Sequence, residues 1–262
     1  MNSLLKDICY RKKKEIEELK LKCSIKSLQK LLGNNQNRGF EKLLKDSQQK
    51  EKSNIIAEIK QSSPSAGEII KDYYPEDIAV KYEKAGAGAI SILTEKNFFK
   101  GSIDHLSIIE TKTNIPILRK DFIIDPYQIY ESKVYKADSI LLIMSILEDN
   151  EIKEYIKIAN DIGLDCIIEA HSRDEINRAI KIDYPIIGIN NRNLDNLSVN
   201  INNTLDMINK IPKSFTVIGE SGIKSNENIK KYNDYGVYNF LIGETILRSS
   251  NYDTMIKKLL KK

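Results

Sequence analysis

From Asn54 onward, short apolar runs rich in β-branched residues recur along the chain: NIIAEI, AISIL, PILRK, SILLIM, CIIEA, IIGIN, TVIGE and NFLIG. Runs that are apolar on both faces suit strands of a buried parallel sheet, not a half-wet antiparallel one. Between them lie helix-length stretches, among them Pro75 to Ala85, Pro126 to Lys136, Glu148 to Ile162 and Asn226 to Tyr235, several opening on Pro or an N-cap residue. One strand, one helix and two short loops fill each repeat of about 26 residues. Eight such units close into a (β/α)8 TIM barrel of the α/β class. The competing architecture, a doubly wound open sheet, carries a GxGxxG turn after its first strand. Here that strand runs into EIKQSSPSAG instead.

Residues 1 to about 50 precede the first strand and place Leu4, Leu5 and Ile8, then Ile16 and Leu19, then Leu28, Leu31 and Leu32 on recurrent helical faces. The expected organisation is a single TIM-barrel domain over 1–262, with a helical N-terminal extension at 1–50 capping a barrel at 51–262. The run Lys12, Lys13, Lys14, Glu15 argues the other way, because consecutive charges usually mark a solvated face.

Composition narrows the function classes. At 262 residues and 41% hydrophobic content, the chain can fill the core of one α/β barrel. Its formal charge of +4 is spread over nearly every segment and forms no basic stripe, which argues against a nucleic-acid partner. Cys9, Cys23 and Cys166 are an odd set without CxxC spacing, so neither a disulfide framework nor a thiolate metal site is indicated, and a reducing cytoplasm fits. The N-terminal MNSLLKDICYRKKKEIEELK is too charged for a secretory signal, and no stretch approaches the roughly 20 apolar residues of a membrane span. No exposed heptad or apolar patch is legible, so the sequence does not report the oligomeric state, with a monomer favoured.

In a barrel the chemistry gathers at the C-terminal strand ends, where this sequence is rich in polar groups. The first run ends in Glu58 and Lys60, the third in Lys120 and Asp121, and the fifth in Glu169. The sixth ends in Asn190 and Arg192, the seventh in Glu220, Ser221 and Gly222. A single charge beside a buried strand reads as a structural ion pair, but five strand ends aimed at one mouth read as a site. Lys60, Lys120 and Glu169 are the candidates for proton transfer. A lysine that is partly desolvated or crowded by another lysine is expected to fall toward neutrality, and a glutamate in the same dry mouth to rise. GESGIKS and LIGET, after the seventh and eighth runs, each set Gly beside a polar residue at a helix start, where free backbone N–H groups and the helix dipole attract an anion. A phosphorylated small molecule is the implied partner. With only His105 and His171 in the chain, no metal cluster has plausible ligand spacing, and both histidines read as surface or supporting groups.

The segments IIAEIKQSSPSAG, ILTEKNFFKGS, PILRKDFIIDPYQIYES, IIEAHSRDEI, IGINNRNL, VIGESGI and FLIGETIL, in this order, resemble the indole-3-glycerol phosphate synthase family. The resemblance implies a barrel with an N-terminal extension over its mouth and no cofactor or metal. The implied substrate is 1-(2-carboxyphenylamino)-1-deoxyribulose 5-phosphate, and its ring closure, with loss of carbon dioxide and water, is a step of tryptophan biosynthesis. It also implies roles. Lys120 corresponds to the general acid at the ribulose carbonyl, Lys60 to the lysine that holds substrate anions and can donate a proton in dehydration, and Glu169 to the carboxylate active on the ring-closed intermediate. Glu58 and Asn190 correspond to the pair that orders the sugar hydroxyls, Arg192 and Ser63 to residues near the substrate carboxylate, and Phe122 to the aromatic packed on the anthranilate ring. Ser221, Gly222, Gly243 and Glu244 correspond to the phosphate cradle, and Leu194, Glu220 and Leu241 to further substrate contacts. The sequence departs from the family in AHS after Glu169, which leaves the contacts behind that carboxylate open.

Three rivals use the same residues differently: a Schiff-base aldolase built on Lys120, a sugar-phosphate isomerase on the same scaffold, and a non-catalytic barrel that holds a phosphorylated ligand. The last would be expected to lack Lys60, Lys120 or Glu169, and all three are present.

Overall fold

A computed structural model of the chain describes residues 3–33, 36–193 and 197–261. Eight strands, β1 (Asn54–Ile59), β2 (Ala89–Leu93), β3 (Ile117–Lys120), β4 (Ser139–Ile143), β5 (Asp165–Ala170), β6 (Ile186–Asn190), β7 (Thr216–Glu220) and β8 (Asn239–Ile242), pair in parallel. They close when β1 pairs with β8, Ile56 beside Leu241, and with β2, Glu58 beside Ser91. Every run read as a strand is one. Isoleucines and leucines such as Ile56, Ile90, Leu141, Ile167 and Ile187 are fully buried, as expected for strands covered on both faces.

The crossover helices begin where local chemistry supplies a start. Pro75 and Pro126 sit at the first helical positions of Pro75–Ala85 and Pro126–Val134. Asp125 accepts the Tyr127 N–H at 2.8 Å, and Ser172 accepts the Glu175 N–H at 3.2 Å. The stretch between β2 and β3 forms two short helices, Lys96–Phe99 and Asp104–Glu110, and the loop after β1 folds back as a small pair, Ser62–Ser63 against Gly67–Glu68.

The N-terminal extension does two different jobs. Helix α1 (Ser3–Lys22) lies at the C-terminal mouth, where Leu4, Leu5 and Ile8 line a cavity with Lys60, Ser63, Phe99 and Phe122. Helix α2 (Ile25–Leu31) packs on Pro126–Val134, with Leu28 buried beside Tyr127. Helix α3 (Phe40–Gln49) closes the opposite end: Phe40 and Leu44 are fully buried, Asn239 at the start of β8 donates to the Leu44 carbonyl at 3.1 Å, and Asp165 at the start of β5 accepts the Glu41 N–H at 2.9 Å. The extension therefore covers both ends of the barrel, not its mouth alone. Among the described residues, no helix is long and apolar enough to cross a membrane.

The charge run in α1 does not lie on a solvated face throughout. Lys12 is 3% exposed, with its Nζ 3.1 Å from both Asp121 and Glu15. Asp121 also accepts from Thr94 at 2.6 Å and Arg119 at 3.1 Å, while Arg119 reaches Glu131 at 2.8 Å. Burial opposes charge on the Asp121 carboxyl, but Lys12 and Arg119 outweigh it and bring the group down to about 2. Asp121 is thus the anion that ties α1 to β3 directly beside Lys120. Asp121→Asn should leave two buried cations short of an anion and cost about 3–5 kcal/mol of folding stability at neutral pH, read by urea denaturation. Because the folded carboxyl titrates lower than the ordinary aspartate value of 3.8, its contribution is present above that pH and lost as pH falls toward about 2, so native and variant should converge there.

Candidate active site

One cavity at the C-terminal mouth is lined by Glu58, Lys60, Lys120, Phe122, Glu169, Asn190, Arg192, Glu220, Ser221, Gly222, Leu241, Gly243 and Glu244. The strand ends singled out in the sequence therefore converge. Ser63 lies in the adjoining cavity under α1, which shares Lys60, Phe99, Phe122 and Arg192 with the first. Leu194 lies outside the described residues.

At the centre, Lys120 Nζ is 3.0 Å from Glu169 Oε2, and Lys60 is ion-paired with Glu58. The expected drop in lysine basicity is overturned at Lys120. Burial does pull its ammonium down, but the carboxylates of Glu169, Glu220 and Glu58 pull harder the other way and hold it above the usual lysine range. The two glutamates split. Burial raises both, yet Lys120 and His171 keep Glu169 below the usual carboxylate range, whereas Glu220, facing the charge of Glu169, is driven well above it. The free site thus pairs a cationic Lys120 with an ionised Glu169, while burial and the charge of Glu169 push the neighbouring Glu220 toward its protonated form.

Two glycines make room for these carboxyls. A Cβ at Gly188 would collide with Glu220 Oε1, and one at Gly243 would collide with Glu58 Oε1. Gly188 sits beside Glu169 in the β5–β6 register, so its missing side chain is what lets Glu220 approach that carboxylate.

The turn after β7 puts Ser221 and Gly222 at φ +63° and +83°, and a Cβ on Gly222 would meet Val199 at 2.6 Å. Asn191, fully buried, donates to the carbonyls of Glu220 and Ser221 at 2.9 Å each and fixes this turn. After β8, Gly243 caps the short helix Glu244–Leu247, whose first N–H groups have no helical acceptor. The Glu244 carboxylate is paired with Arg248 at 2.9 Å, leaving its backbone N–H as the group offered to the cavity. Arg192 donates to the Leu197 carbonyl at 2.9 Å, and its own N–H donates to Asn190 Oδ1 at 3.0 Å, so the sixth loop is held through its own backbone.

Sequence reading missed Phe99 and Asn191, while His171, read as a surface or supporting group, proves to be the latter. Phe99 lines both cavities, its ring 6.2 Å from that of Phe122; the FF pair in NFFKGS was the available signal. Asn191 sits in GINNRNL without any mark of its burial. His171 stands 3.2 Å from Glu169, closing the question left by AHS. Among the described residues, no group of three or more His, Cys, Asp or Glu side chains is placed to hold a metal ion.

Fold and site together define the class: a (β/α)8-barrel enzyme with its titratable groups gathered at the C-terminal mouth. Within that class the sequence decides the family, since the sequence model of indole-3-glycerol phosphate synthase matches residues 5–259. The chain belongs to the indole-3-glycerol phosphate synthase family. A relative of that name from Ruminiclostridium cellulolyticum is 42% identical over 259 residues, covering 98% of both chains, and one from a Thermoanaerobacter species is 44% identical over 245 residues, covering 94% of this chain and 92% of the relative. Among solved structures, 3-hexulose-6-phosphate synthase from Salmonella typhimurium matches with a TM-score of 0.63 at 12% identity, over 79% of this chain and 97% of that one, a likeness of fold alone.

Gly188→Ala should displace the buried Glu220 carboxyl. The expected result is a loss of about 1–3 kcal/mol of stability, read by denaturant unfolding, together with a lower kcat in the family's reaction.

Proposed function

We propose that this chain closes the indole ring of 1-(2-carboxyphenylamino)-1-deoxyribulose 5-phosphate, releasing carbon dioxide and water, in tryptophan biosynthesis. Family membership supports the reaction. The observation that carries the residue roles is the Lys120–Glu169 pair, buried and 3.0 Å apart at the mouth.

The chemistry follows from these groups. The aromatic carbon bearing the carboxylate attacks the ribulose carbonyl, and charge builds on the carbonyl oxygen. Lys120, kept protonated by its carboxylate neighbours, is a fixed cation and proton donor at that oxygen. Loss of carbon dioxide restores aromaticity. Departure of the resulting hydroxyl as water, with loss of a ring proton, then completes the indole, and Glu169 handles the proton transfers at this stage with Lys60 as a second donor. Phe99 and Phe122, with Leu4, Leu5 and Ile8 of α1, give the anthranilate ring an apolar wall, and Arg192 with Ser63 meets its carboxylate. Glu58 and Asn190 order the hydroxyls, while Glu220 and Leu241 complete the contacts inside the barrel. Ser221, Gly222, Gly243 and the Glu244 backbone cradle the phosphate, so that binding energy at the far wall becomes orientation at the reacting carbons.

Purified protein supplied with this substrate in the presence of a metal chelator should form the indole product, followed by its absorbance and fluorescence. Lys120→Ala should lower kcat by about 10²–10⁴-fold with a smaller change in KM. Near-native turnover in that variant removes Lys120 from the mechanism, and a borohydride-trapped covalent adduct at Lys120 would instead point to Schiff-base chemistry.

A further inference from the structure

Behind Glu169 stands a pair of side chains that the reaction as written does not use. His171 follows Glu169 by two residues at the end of β5 and turns back on it, with Nε2 3.2 Å from Glu169 Oε1. Its other ring nitrogen, Nδ1, is 3.5 Å from Glu175 Oε2. Glu175 does not swing freely. The same Oε2 accepts the His171 backbone N–H at 2.7 Å, and Glu175's own N–H is capped by Ser172 Oγ at 3.2 Å in the first turn of Arg173–Ile182. The imidazole is 9% exposed, between carboxyls 3% and 16% exposed. A buried ring between two carboxylates, each at ion-pair distance of a different nitrogen, is favoured as an imidazolium. Burial alone would lower its pKa, but Glu169 and Glu175 raise it to about 9.

The consequence falls on Glu169. Its two oxygens have different partners: Oε2 faces Lys120 at 3.0 Å and Oε1 faces His171. Rotation of the carboxylate about its last bond would break both contacts at once. Glu220, which also presses on this carboxylate, competes for its negative charge.

We infer that His171, charged and held by Glu175, is a positioning residue that fixes the orientation and ionisation of Glu169. The inference rests on the acid–base role proposed for Glu169. Glu175 acts only through His171.

The test is a set of kcat–pH and KM–pH profiles for the native chain, His171→Gln, Glu175→Gln, the double variant and Glu169→Gln, with thermal unfolding of each. His171→Gln should lower kcat by about tenfold or more with KM nearly unchanged. It should also move the acidic limb of kcat to higher pH, because Glu169 loses a neighbouring cation. Glu175→Gln keeps an acceptor for the His171 N–H and removes only charge, so it serves where His171→Gln folds poorly. It should move the alkaline limb to lower pH, since the imidazolium loses one of its two anions. Adding Glu175→Gln to His171→Gln should change nothing further. Native kcat and unmoved limbs in folded His171→Gln and Glu175→Gln, with Glu169→Gln inactive, would overturn the positioning role alone. An active Glu169→Gln would bring down the role of Glu169 and this inference with it.

Discussion

The structure depends on a buried ammonium that must be neutralised inside a barrel. Lys120 ends β3 at the mouth with its side chain 16% exposed, where burial alone would pull its basicity down. It keeps its proton because Glu169, Glu220 and Glu58 surround it, Glu169 at 3.0 Å. The three carboxyls come from β5, β7 and β1, so the interaction crosses the barrel and joins strands that are not neighbours. Removing Lys120 would leave Glu169 without its nearest cation, and removing Glu169 would leave the ammonium without its nearest anion.

The same constraint explains the glycines and the split between glutamates. Three carboxyls around one lysine exceed its charge, and Lys60 answers Glu58 through its own ion pair. The remaining excess pushes Glu220 toward its protonated form, and Glu220 has room beside Glu169 because Gly188 offers no side chain. On the outer side of β3, Arg119 and Asp121 flank Lys120 and carry a second buried network to α1. Alternation along the chain thus sends Lys120 to the mouth and Arg119 and Asp121 to the network that ties α1 down.

The apolar runs predicted all eight strands because a sheet buried on both faces leaves its mark in every residue of each strand. Pro75 and Pro126 marked their helix starts because the signal is local. Long-range facts were not legible. Lys12 looked like part of a solvated run, since its partner Asp121 lies 109 residues away. Residues 1–50 read as one capping unit, since amphipathic helices report an apolar face but not which end of a barrel it covers. The basicity of Lys120 was expected to fall because sequence shows that a strand end is buried but not how many carboxylates it meets.

Strand ends revealed which residues share the mouth, and geometry adds which of them restrain one another. Lys120, Glu58, Glu169 and Glu220 sit on strands, whose positions are fixed by the closed barrel, whereas Ser221, Gly222 and Arg192 sit on turns pinned by Asn191 and by the backbone of the sixth loop. Proton transfer tolerates little displacement, and the groups proposed for it sit on the rigid scaffold. Holding an anion through backbone N–H groups needs only a turn of the right shape, so the cradle can be built from loops. His171 is the exception that fits this division: it leaves the strand by one residue and folds back, placing a loop residue's charge against a strand residue's carboxylate. That position lets it restrain Glu169 without occupying the cavity where substrate must sit.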